Sequence, residues 1–142
     1  MTSSQPVITP NALNFTPDNK RCYAYSGAVV IDNDPDVAML EFKTNSEYIV
    51  AKISFGTRDT NLSPNVHIGY EINFNSKVVF TTFSLSDGDG TLIFDGASFP
   101  QTILIPPFTE VQIDAFTSDA NNNNVFMMLT GEAFGMTDTG YQ

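Results

Sequence analysis

The chain has 142 residues and a formal net charge of -10, and only 15% of its residues are charged, with 12 Phe, 5 Tyr, no Trp and a single cysteine. That length suits one domain with a real core. The charge repels phosphate backbones and anionic membranes, so neither nucleic acid nor membrane is expected as a partner, and the lone Cys22 excludes an intrachain disulfide.

Residues 1–21 carry Pro6, Pro10 and Pro17 among Ser, Thr and Asn. They read as an extended N-terminal arm with apolar anchors at Val7, Ile8, Leu13 and Phe15. The opening MTSSQPVITP has no basic region and no apolar core, so no secretion signal is expected. The sandwich domain is expected over 22–135 and a short polar tail over 136–142.

The first strand is expected over Cys22–Ile31, with Tyr23, Tyr25, Gly27, Val29 and Ile31 on one face. The DNDPD run from Asp32 turns the chain. Val37–Lys43 follows, with Ala38, Leu40 and Phe42 on one face, then Glu47–Phe55 with Ile49, Ala51, Ile53 and Phe55 inward. The polar stretch 56–64 reads as a loop. From Asn65 to Phe74 the pattern is clearest. Val66, Ile68, Tyr70, Ile72 and Phe74 alternate with His67, Gly69, Glu71 and Asn73, which a helix cannot produce. Asn75-Ser76 is a turn, and Lys77–Leu85 a strand rich in β-branched and aromatic residues.

Ser86-Asp87-Gly88-Asp89-Gly90 is a second turn with residues suited to positive φ. Thr91–Phe94 is a short strand before a loop over 95–101. TILIPPFTEVQIDAF, from Thr102, reads as a strand, a Pro-Pro stop and a strand with Val111, Ile113 and Ala115 inward. Pro106 and Pro107 lack backbone donors and mark an edge or a crossing, with Phe108 expected to drop into the core beside them. After the polar turn 118–124 comes Val125–Phe134, apolar on both faces: Val125, Met127 and Leu129 on one, Phe126, Met128 and Phe134 on the other. A strand apolar on both faces is buried on both. No stretch reads as an amphipathic helix. About eight to nine strands at this spacing predict an all-β, antiparallel β-sandwich of jelly-roll type.

Chemistry is thinly signalled. His67 is the single histidine; it falls on the outward face of its strand without a nucleophile, a second imidazole or an orienting partner. Asp32, Asp34 and Asp36, and Asp87 and Asp89, are turn residues first. The glutamate that closes a twelve-residue calcium loop is missing, since Ser98 stands there. Glu41, Glu47, Glu71, Glu110 and Glu132 show no spacing suited to paired-carboxylate catalysis. No enzyme activity, catalytic residue, metal or cofactor is expected.

The polar arm, the helix-free run of strands, the LIPPFTEVQI corner and the closing LTGEAFG resemble small β-sandwich or jelly-roll virion proteins of tailed bacteriophages, those that decorate capsids or form accessory head and fibre parts. The resemblance implies a non-enzymatic virion structural protein, a capsid-associated decoration or minor capsid protein. It implies other capsid or virion proteins as partners and a symmetric homo-oligomer, a trimer among the states expected. It also implies synthesis in the host cytoplasm. Phe126 and Met128, together with the anchors Val7, Ile8, Leu13 and Phe15, are the expected assembly contact. The alternative is a carbohydrate- or receptor-binding module, in which exposed rings such as Tyr25 and Tyr48 stack on sugars.

Overall fold

The computed structural model describes residues 11–57 and 62–135. Eleven strands run β1 (Asn14–Phe15), β2 (Arg21–Tyr25), β3 (Val29–Ile31), β4 (Val37–Lys43), β5 (Glu47–Thr57), β6 (His67–Phe74), β7 (Lys77–Ser86), β8 (Leu92–Asp95), β9 (Gln101–Ile105), β10 (Glu110–Thr117) and β11 (Asn123–Gly135), with one 3-10 turn at Gly96–Ser98. They form two antiparallel sheets. Sheet A has the order β1-β2-β11-β5-β9, with β3 also on β11, and sheet B has the order β4-β10-β6-β7-β8.

The pairings nest. β2 lies beside β11, β4 beside β10, β5 beside β9 and β6 beside β7. A long hairpin folded over on itself gives this order, which is the jelly-roll connectivity. The architecture thus matches the all-β sandwich expected from the alternation.

The core lies between the sheets. Ile49, Ala51 and Ile53 of β5, Val125, Met127 and Leu129 of β11, Ile68, Tyr70 and Ile72 of β6, and Val111, Ile113 and Ala115 of β10 are each no more than 2% exposed. These are the residues that the period-two pattern points inward. The β6–β7 hairpin closes through Asn75 (φ 51°) and Ser76 (φ 67°), the double positive-φ turn whose twist suits paired strands.

Two expected faces are displaced by extra residues. The stretch 22–31 is two strands. Ser26 donates its N–H to the Met127 carbonyl at 3.0 Å, yet Val29 lies opposite Val125, so the 26–29 side holds one residue more than its partner. The bulge, with Gly27 at φ +72°, flips the side-chain parity. Cys22 and Ala24 therefore point inward before it and Ile31 after it, while Tyr25 turns outward. A register shift in β4 between Leu40 and Ala38 likewise buries Met39 beside Leu40 and puts Ala38 opposite Asp114, on the outer face.

Phe108 does not enter the core. It is 68% exposed with φ 53°, and its N–H donates to the Asn45 carbonyl at 2.8 Å. The left-handed turn after the two prolines sends this ring to solvent and brings Thr109 inward instead. The Thr44 hydroxyl donates to the Pro106 carbonyl at 2.7 Å and accepts the Thr109 N–H at 2.9 Å, so the crossing from sheet A to sheet B is tied down on its inner side. The Pro-Pro stop itself sits where expected, at the end of edge strand β9.

The described part of the expected arm belongs to the sandwich. β1 pairs with β2, Leu13 packs against the core, and Asn11 bridges the two sheets, donating its N–H to the Tyr25 carbonyl and accepting that of Glu41. Val7 and Ile8 lie outside the described residues, as does the tail 136–142.

Candidate assembly surface

The strand β11 runs through the middle of sheet A, between β2 and β3 on one side and β5 on the other. Its odd-numbered residues fill the core, so its even-numbered ones form the outer face. Register sets their neighbours: Met128 between Tyr25 and Ser54, Thr130 between Tyr23 and Lys52, Glu132 between Arg21 and Val50. Beyond β5, Leu104 of β9 stands beside Val50. Met128 is 45% exposed, Tyr25 47%, Val50 40% and Leu104 56%. Apolar side chains are thus left open from the centre of the sheet, at Met128, out to its edge strand, at Leu104.

Phe126 is held differently. A Cβ placed on Gly56 would lie 2.5 Å from its Cζ, so the ring lies flat over the glycine, half-buried by its own strand neighbours. At the other end of the face Tyr48 and Phe134 stack, with ring centroids 5.4 Å apart and planes 20° apart. Between them a shallow depression of about 380 Å³ is lined by Val50, Thr102 and Phe134 together with the charged ends of Arg21, Lys52 and Glu132.

The two groups of expected contact residues do not share a surface. Phe126 and Met128 share this outer face. Leu13 and Phe15 line a separate hollow at the sandwich edge with Phe42, Thr44 and Ile49. Tyr25, Val50 and Leu104, which complete the face, come from three other strands. Only the order of the strands brings them together, so no local sequence pattern marks them.

The remaining candidates have structural neighbours. His67 is exposed, with its ring edge-on to Phe116 at 5.8 Å. Cys22 is buried in sheet A. Burial, and then the charge of Glu47, push its thiol up to about 11, so it stays protonated and is a poor nucleophile at neutral pH. The Asp32 carboxylate accepts the Asp34 N–H at 3.0 Å, and that of Asp87 accepts the N–H groups of Asp89 and Thr91 at 2.8 and 3.0 Å. Both carboxylates therefore close their own turns. Among the described residues no group of three or more His, Cys, Asp or Glu side chains is placed to hold a metal ion.

One polar network is not visible in the sequence, where 118–124 shows only a polar turn. Asp119 is 2% exposed. Its carboxylate accepts the Ser63 hydroxyl at 2.7 Å, the Asn121 N–H at 2.9 Å, and the Ser63 N–H and Asn123 amide at 3.2 Å each. Burial pushes the Asp119 carboxyl up. The hydrogen bonds from Ser63, Asn121 and Asn123 together outweigh it and hold the group below its usual range. The network fastens the β10–β11 turn to the chain ahead of β6, which fixes where β11 enters sheet A.

No family model matches the chain, and no curated protein matches it. Among solved structures, the chain is similar to one in the structure of infectious bursal disease virus, Gx strain, at 14% identity and a TM-score of 0.37. The likeness covers 86% of this chain and 30% of that one, so this chain spans under a third of that chain's length. It is a distant likeness to a virus structure, and not specifically to a tailed bacteriophage.

Proposed function

We propose that the chain is a non-enzymatic virion structural protein, a capsid-associated decoration or minor capsid protein, whose assembly contact is the outer face of sheet A. The observation that carries this reading is Met128. It sits on the central strand, 45% exposed, between Ser54 and the equally open Tyr25, with Val50 and Leu104 open further along the same face. Open apolar side chains interspersed with Thr130, Lys52, Arg21 and Glu132 make a mixed surface of the kind that non-obligate interfaces use. Jelly rolls serve both capsid and lectin domains, so the fold supports a virion role by analogy only. The partners are further copies of the chain and other capsid or virion proteins, and the protein is made in the host cytoplasm and resides in the virion. The acidic charge speaks against nucleic acid. Light scattering on the protein and on Met128→Glu tests the reading. The exposed substitution should change fold stability by no more than about 0.5 kcal/mol and abolish association. Equal association of the two proteins would overturn it.

A saccharide-binding module is the second reading. Phe83 and Phe94 meet edge-on at 5.7 Å on the outer face of sheet B, near Phe116 and His67 and a row of amides and a carboxylate at Asn73, Gln112 and Asp114. Rings beside planar polar groups suit sugar faces and hydroxyls. A glycan array in which a specific signal is lost in Phe83→Ala would favour it over the first.

A further inference from the structure

We propose that copies of this chain stack heterologously, the outer face of sheet A in one copy resting on the outer face of sheet B in the next. This rests on the reading of the sheet A face as an assembly surface, and adds what covers it.

The two outer faces differ in charge. On sheet A the outward charged side chains in the register are Arg21 and Lys52, with Glu132 between the strands that carry them. On sheet B they are Glu41, Glu71, Glu110 and Asp114, with Lys43 beside Glu110. One face is net basic and the other net acidic. The remaining aspartates are mostly in connections: Asp32, Asp34 and Asp36 between β3 and β4, Asp87 and Asp89 between β7 and β8. These lie at strand ends, off both faces, where salt screens them beyond about 8 Å. The overall charge of -10 therefore does not describe either face.

Both faces also offer apolar surface. Sheet A has Met128, Val50 and Leu104, and sheet B has Phe83 (40% exposed), Phe94 (50%) and Val78 (54%). Sheets stack face to face about 10 Å apart when their side chains interdigitate. Three stackings between copies are possible. Sheet A on sheet A sets two net basic faces together, with Glu132 offsetting only part of the charge of Arg21 and Lys52, and sheet B on sheet B sets acidic rows against each other. Only sheet A on sheet B matches the signs, and like-charge juxtaposition is what an interface avoids. A contact between two different faces does not close in a pair. It generates a ring or an open array, as repeated copies around a shell require.

The test uses exposed residues only. One chain carries Arg21→Glu with Lys52→Glu, reversing the sheet A face; the other carries Glu41→Lys with Glu110→Lys, reversing the sheet B face. Matching melting temperatures establish that both fold. Sedimentation velocity is then run on the parent protein, each variant and their equimolar mixture. Each variant alone should associate at least about tenfold more weakly than the parent, and the mixture should recover to within about threefold, because unlike copies meet with opposite signs. A parent protein that stops at a dimer, with the sheet B reversal silent, would overturn the heterologous stacking and leave the sheet A surface standing. A parent protein that stays monomeric at millimolar concentration would overturn both.

Discussion

Tyr70 offers a test of the core that isolates one atom. The side chain is fully buried, with its ring tilted against Phe55 at 5.3 Å and Phe80 at 6.4 Å. Its hydroxyl has no hydrogen-bond partner among the described residues. Burial alone pushes the phenol up to about 12, so it is neutral at every physiological pH and adds no charge to the balance. Leaving a buried donor unsatisfied costs about 1–3 kcal/mol relative to water. Tyr70→Phe removes that oxygen and retains both ring contacts, leaving at most a hydroxyl-sized gap. The gap offsets part of the gain, so the expected net is a stabilisation of about 1 kcal/mol. For a chain of this size that raises the melting temperature by about 3 °C. Urea denaturation should show a higher midpoint with an unchanged slope. A loss of 1 kcal/mol or more would refute the reasoning, because it would mean that the hydroxyl is satisfied and holds structure together.

Two further expectations concern how the sheets are held. A Cβ on Gly69 would lie 2.1 Å from the Thr82 carbonyl oxygen and 2.7 Å from the Phe83 Cα, both backbone, so Gly69→Ala must push β7 away from β6 and should cost about 2–3 kcal/mol; a loss under about 0.5 kcal/mol in chemical denaturation would show that the strands are not so close. Asp119 has its folded pKa lowered by its hydrogen bonds against the opposing effect of burial, so its stabilisation is present above the unfolded value near 4 and is lost as pH falls through the folded value. Asp119→Asn should therefore be destabilised by about 2 kcal/mol at pH 7, with the gap to the parent protein narrowing below about pH 4. An equal gap at pH 7 and pH 3 would contradict the network's role.

How far the sequence discloses this molecule depends on the range of the signal. Alternation is local, so Ile68, Tyr70 and Ile72, or Val111, Ile113 and Ala115, declare their face without any knowledge of the fold, and all six are buried. A bulge inserts one residue and inverts the pattern after it. Nothing local tells Ile31 that the bulge before it will part it from the face of Tyr25 and bury it, or Met39 that it will be drawn in. Phe108 misleads for a similar reason: hydrophobicity argues inward, but the left-handed turn after Pro107 decides otherwise. The candidate surface was legible only where one strand carries it. Phe126 and Met128 are visible because β11 is apolar on both faces. Val50 and Leu104 look like ordinary strand residues until β11, β5 and β9 are laid side by side. The Asp119 network joins residues over fifty positions apart, and its serine and asparagines read alone as a loop.

The central claim, that the outer face of sheet A is covered on assembly, is tested most directly by the oxidation of its methionine. Met128 is 45% exposed in the single chain, whereas Met39 and Met127 are fully buried. Dilute peroxide followed by peptide mass spectrometry reads all three in one sample, so the buried pair reports on the integrity of the fold. With rising protein concentration the oxidation rate of Met128 should fall toward that of Met127 over the same range in which light scattering detects association. An unchanged Met128 rate in a sample that has associated would contradict the account, because the copies would then be meeting through some other surface.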